Sequence, residues 1–232
     1  MDILVFDVKG PLAHFRRPDT TSTHASYPFM TRTALRGLLG AILGIGDWPT
    51  EAWTGMSLLS PVQLRVQQLS LLGKGFLKSG DVLNRPTTVE LVINPHYRIY
   101  YNGPLMDELE DWLVAGRSFY PTYLGSAFAL TFPQWVGRYQ VQEWSAGGWT
   151  PRPLISVVPA HAVASLAMED GASYARAGGM VYEALGGRRF RGIIHMIYES
   201  QLRPFRARIM PTAVPPVRFV LAPNEVGMIA LW

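Results

Sequence analysis

Between residues 31 and 44 the chain carries one segment of clear helical period, and what flanks it limits the fold. Thr31 is an N-cap candidate, apolar residues fall at Leu35, Leu38, Leu39, Ile42 and Leu43, and Gly44 and Gly46 close the segment. Ahead of it, Ile3 to Val8 is a short apolar run, read as a strand buried on both faces. After it, Val62 to Leu72 alternates apolar and polar residues as a half-buried strand does. Tyr97 to Tyr101 reads as a third strand. Pro104 opens an acidic amphipathic helix with Asp107 and Glu108 near its start, and Ala127 to Phe132 reads as a fourth strand. This order predicts an α+β fold over residues 1–135, with a βαββαβ arrangement of the ferredoxin-like or RNA-recognition kind. Right-handed crossovers place both helices on one face of the sheet.

Past Val136 short apolar segments alternate with Gly and Pro, which predicts a β-rich extension over 136–232 packed on the first domain. No linker composition separates the two. The residues between the second and third strands, about 73–95, form an insertion far longer than a hairpin turn needs. Lys74, Lys78 and Arg85 make it basic, and Thr88 to Ile93 reads as a strand of its own.

Charge and composition narrow the chemistry. The net charge of +4 and 48% hydrophobic content fit a packed globular protein that tolerates a polyanionic partner. Zero cysteines exclude a disulfide framework, a thiol nucleophile and a cysteine-ligated metal. The first residues do not read as a signal peptide, and the most hydrophobic stretch, Leu38 to Ile45, is too short for a bilayer. The expectation is a soluble, cytoplasmic protein without a membrane partner.

The segment from Lys9 to Arg36 leaves a central strand and ends at a helix N-terminus. It carries Lys9, His14, Arg16, Arg17, Thr23, His24, Tyr27, Arg32 and Arg36. Arg32 and Arg36 lie one turn apart where the helix dipole favours negative charge, so the pair predicts a docked anion such as phosphate. The alternative is a solvated polar loop. Gly37, Gly40, Ala41 and Gly44 lie opposite the leucines, where another chain segment or a nucleic-acid backbone could come close. Arginines from Arg188 to Arg208 are interleaved with Phe190 and Phe205, a weak signal for nucleic-acid contact.

Catalytic patterns are few. The histidines lack metal-ligand spacing, and no nucleophile elbow, phosphate loop or dinucleotide fingerprint occurs. No cofactor is expected. A metal-free ribonuclease could use His14 or His24 with Lys9 and Tyr27. The strand YRIYY lacks the basic–Gly–aromatic signature of sheet-face RNA readers. A ferredoxin-like module for proteins or small ligands, its charge incidental, is a third reading.

The residues from Phe6 to Gly44, FDVKGPLAHFRRPDTTSTHASYPFMTRTALRGLLGAILG, resemble the N-terminus of the Cas-five family of the CRISPR-associated RAMP superfamily. Asn84 to Tyr101 and Tyr120 to Leu130 agree with it. The resemblance implies a long hairpin "thumb" at the basic insertion and a role as a non-catalytic subunit of a type I Cascade complex. It implies a grip on the 5′ handle of the crRNA, with a Cas-seven-type backbone subunit and a large Cas-eight-type subunit as neighbours and target DNA reached only indirectly. Type I-C members cleave repeat RNA; the wording here is closer to the type I-B branch, which leaves cutting to another enzyme.

Overall fold

The computed structural model describes residues 1–20, 23–74, 82–185, 187, 189–210, 212–223 and 227–232. Thr21, Ser22, Lys78 and Arg188 lie outside them, and of Lys74 only the strand pairing is described.

In chain order the main elements are strand β1 (Asp2–Lys9), helix α1 (Arg32–Leu43), strands β2 (Trp53–Leu58), β3 (Leu64–Lys74), β4 (Val82–Ile93) and β5 (His96–Asn102), helix α2 (Met106–Val114) and strand β6 (Gln134–Gln140). β7 (Tyr174–Ala184), β8 (Phe190–Glu199), β9 (Arg218–Leu221) and β10 (Met228–Leu231) follow. The central sheet has the order β2-β5-β1-β6, with every pairing antiparallel.

β1 explains how the molecule is layered. Its side chains alternate between two cores, as a strand's period of two requires. Leu4, Phe6 and Val8 join Leu35, Leu38, Leu39 and Ile42 of α1 and Leu109 and Leu113 of α2. Ile3 and Val5 instead join Val220, Ile229 and Leu231 from β9 and β10. The helices cover one face and the C-terminal hairpin covers the other, so Ile3 to Phe6 of β1 read as an unbroken apolar run. The far end of the chain is tied in tightly: the Thr54 and Trp232 backbones exchange N–H···O bonds at 3.1 and 2.8 Å.

α1 has the caps its sequence predicts. The Thr31 hydroxyl accepts the Ala34 N–H at 3.2 Å, and Gly44 turns left-handed at φ 76°. The row of small residues on its back receives a segment of the same chain. The N–H groups of Phe119 and Tyr120 donate to the carbonyls of Ile42 and Ala41 at 2.9 and 3.0 Å. A Cβ on Gly44 would stand 2.7 Å from the Phe119 ring.

Two strand expectations are corrected. The second strand of the central sheet is Trp53–Leu58, not Val62 to Leu72. Buried along most of its length, it shows no alternation to betray it. The alternating segment is instead one arm of the β3–β4 hairpin, exposed at Leu64, Val66 and Leu72. The fourth strand is Gln134–Gln140, not Ala127 to Phe132, which has only the isolated bridge of Leu130 to Tyr123. Phe128, Leu130 and Phe132 are exposed, so their hydrophobicity marks a surface rather than a buried strand. β6 spans position 135, where the sequence places a domain boundary, and one apolar cluster contains residues from both sides of it.

Candidate nucleic-acid interface

Past Lys9 the chain leaves β1 and folds back along β4, joining the two basic segments singled out in the sequence. Leu12–Ala13 pairs with Ile93 and Val92, and Phe15–Arg16 pairs with Tyr27 and Ser26. The His24 N–H donates to the Thr88 carbonyl at 2.8 Å, and the Glu90 N–H donates to the His24 carbonyl at 2.9 Å. Glu90 is the hub. Its carboxylate accepts the Ser26 N–H at 2.9 Å, and its carbonyl accepts from His14 Nδ1 at 2.8 Å. Sequence reasoning missed Glu90; an acid within a basic hairpin was the only available signal.

On this scaffold Lys9, Arg16 and Thr23 are exposed. Arg85 is exposed on β4, and its charge acts on His24. The rings of His14 and His24 stack with centroids 6.3 Å apart. Arg17 is turned toward Asp19 at 2.7 Å and stands 5.8 Å from the Tyr27 ring centroid. Tyr27 is buried, its hydroxyl donating to the Gly179 carbonyl.

Arg32 and Arg36 require a correction. Both are buried, at 4% and 8% exposure, and both are committed to the fold. Arg32 donates to the Tyr182 carbonyl at 2.9 Å and lies 4.2 Å from that ring's centroid. Arg36 donates to the carbonyls of Thr50 and Ala52 at 3.1 and 3.4 Å and faces the buried Glu183 carboxylate at 3.9 Å. The anion expected at this helix start is thus supplied by the chain itself, from β7. Burial, with Arg36 close by, pushes the Arg32 pKa down to about 10, which still leaves it charged at neutral pH. In the arginine-rich tail, Arg191 bonds Glu183 and Arg203 reaches the Asp170 carbonyl at 3.4 Å.

Both stacked histidines have lowered pKa values. Burial is the larger cause at each; the Arg16 charge adds to it, while the Glu90 carbonyl partly opposes it at His14. The sign follows from linkage. A histidine with a folded pKa below its unfolded 6.5 takes up fewer protons when folded, so stability rises with pH between the two values. The contribution is complete above about 6.5 and is lost as pH falls toward the folded pKa. Urea midpoints are expected to drop between pH 7 and 5.5, and to drop less in His14→Gln. Equal drops would remove His14 from this account.

Gly125 fixes the position of the loop. Its φ is +85°, and a Cβ there would stand 2.2 Å from the His14 carbonyl oxygen, which is backbone and cannot yield cheaply. Gly125→Ala is expected to cost at least about 2 kcal/mol, measured from denaturant midpoints. An unchanged midpoint would show that the loop relaxes freely.

Among the described residues no group of three or more His, Asp or Glu could hold a metal ion. No described helix is long and apolar enough to cross a membrane.

Comparison with known proteins places these features. The sequence profile of the family described as CRISPR-associated protein (Cas_Cas5) matches residues 3–67, the part that holds β1, the basic loop and α1. No curated protein matches the chain. Among solved structures, a CRISPR RNA-guided surveillance complex chain aligns over 85% of this chain and 90% of its own, at 13% identity and TM-score 0.56. A CRISPR protein from Archaeoglobus fulgidus aligns over 99% of both chains at 10% identity and TM-score 0.55. A further Cas protein covers 88% of this chain and 98% of its own, at 15% identity and TM-score 0.50. At such identities the likeness is one of fold. The chain is therefore similar to Cas-five proteins in sequence over its N-terminal part, and to CRISPR proteins in fold over nearly all of its length.

Proposed function

We propose that this chain is an RNA-binding subunit of a type I CRISPR effector complex, closest to the type I-B branch, that holds the 5′ handle of the crRNA and does not cut it. The observation that carries this reading is the loop from Lys9 to Tyr27, within the matched family segment, laid along β4 with Lys9, Arg16 and Thr23 exposed. Handle phosphates would meet Lys9, Arg16 and Arg85, and His24 would offer a stacking face. Arg17 could join by exchanging its exposed Asp19 partner for phosphate.

The sheet order β2-β5-β1-β6, with α1 after β1 and α2 after β5, supports a ferredoxin-like RAMP domain. On this reading β3–β4 is the thumb. A Cas-seven-type backbone subunit and a large Cas-eight-type subunit would be its neighbours. A surface suited to such neighbours lies between Arg117 and Arg138, where no residue is charged. There Phe119, Tyr120, Tyr123, Phe128 and Phe132 are all exposed.

The non-catalytic role is supported by His14, which is buried and hydrogen-bonded to the Glu90 carbonyl. End-labelled repeat RNA incubated with the folded protein in EDTA is expected to stay intact on a denaturing gel. A discrete cut at the base of the repeat hairpin would instead identify a processing endoribonuclease, with His24 the first residue to replace.

A further inference from the structure

A second concavity lies on the outward face of the β7–β8 sheet. Arg176 stands opposite Ile197 in the antiparallel pair, and the strand period puts His195 and Ile193 on the same face. Ala177, Met180, Ile194 and Met196 alternate with them and are buried, so the first set faces away from the core. The short helical turn Ala160–Ala162, carrying His161, and the Val214–Pro215 segment wall the far side. Together they line an open concavity of about 440 Å³.

Every ionisable side chain in this concavity is basic. His161, Arg176 and His195 are its ionisable lining, with no carboxylate among the described residues that form it. Arg176 is exposed and has no ion pair or hydrogen bond among the described residues.

Hydrogen bonds fix the tautomers of both rings. The Pro215 carbonyl can only accept, so His161 Nε2, at 2.7 Å, carries a proton and Nδ1 remains for a ligand. The Gly179 N–H donates to His195 Nδ1 at 3.3 Å, so the neutral ring carries its proton on Nε2, a donor for a ligand.

We propose that this concavity binds the phosphate group of a nucleotide. Arg176 supplies the guanidinium fork and His195 Nε2–H a further donor. His161 Nδ1 receives a phosphate O–H, or donates when the ring is protonated. Ile193 and Val214, 67% and 85% exposed, are apolar walls against which a base or ribose can lie. Inorganic phosphate would satisfy the polar groups but leave those walls bare.

The test follows the imidazole ¹H–¹⁵N signals of the full chain during titration with adenosine 5′-monophosphate and, separately, with inorganic phosphate. Saturable shifts at His161 and His195 are expected, with half-saturation at least ten-fold lower for the nucleotide. Arg176→Ala, at an exposed position, should raise that half-saturation at least ten-fold while the rest of the spectrum stays in place. Absence of saturable shifts, or an unchanged titration in Arg176→Ala, would overturn the site. Equal affinity for the two probes would overturn the role of Ile193 and Val214. Handle binding by variants of Lys9 and Arg16 is read separately, so failure here leaves the proposed function untouched.

Discussion

Replacing Glu183 by alanine is expected to lower the unfolding free energy by about 3–5 kcal/mol, because it strands a charge inside the protein. Glu183 is 5% exposed at its side chain and faces two guanidinium groups, Arg36 of α1 and Arg191 of β8. Arg36, with a side chain 10% exposed, cannot turn to water when the carboxylate is removed. It retains the carbonyls of Thr50 and Ala52, but these leave its net charge unmatched. For a chain of 232 residues each kcal/mol is worth roughly 2–4 °C, so thermal unfolding should begin at least about 6 °C lower. Arg191→Ala is the control. That arginine is 68% exposed and its loss leaves Arg36 facing the carboxylate, so it should cost clearly less than loss of Glu183. Similar losses in the two variants would mean that Glu183 and Arg36 do not form a buried unit.

That same network shows where the sequence could and could not be read. The caps of α1 were legible because capping is local: Thr31 reaches Ala34 three residues on, and Gly44 needs only its own backbone freedom. The role of Arg32 and Arg36 was not local. Two cations at a helix start imply an anion, and that inference is sound, but Glu183 lies far along the chain. No spacing rule connects them. β2 was missed because burial along most of the strand erases the alternation that identifies strands, whereas the exposed arm β3 alternates clearly. Ala127 to Phe132 misled for the opposite reason: its large apolar residues, Phe128, Leu130 and Phe132, are on the surface.

The loop that follows β1 was legible as a basic segment because its charge is concentrated in one stretch. Its organisation was not, because it rests on β4 through backbone pairs and on the Glu90 carboxylate, which only the tertiary fold brings to Ser26. The fold thereby sorts the cations of this segment into two groups. Arg32 and Arg36 hold the molecule together, while Lys9 and Arg16 remain on its surface.

The most direct measurement is the equilibrium affinity for a labelled 5′-handle RNA as a function of salt, in the wild type and in Lys9→Ala/Arg16→Ala. Each lost phosphate contact on a single strand lowers the slope of log K against log salt by about 0.7, so the double variant should lose about 1.4. Its affinity should fall by roughly 10–100-fold at low salt, as two charge-assisted contacts imply, with an unchanged thermal midpoint. Equal affinity and equal slope in the two proteins would contradict the claim that this loop holds the handle.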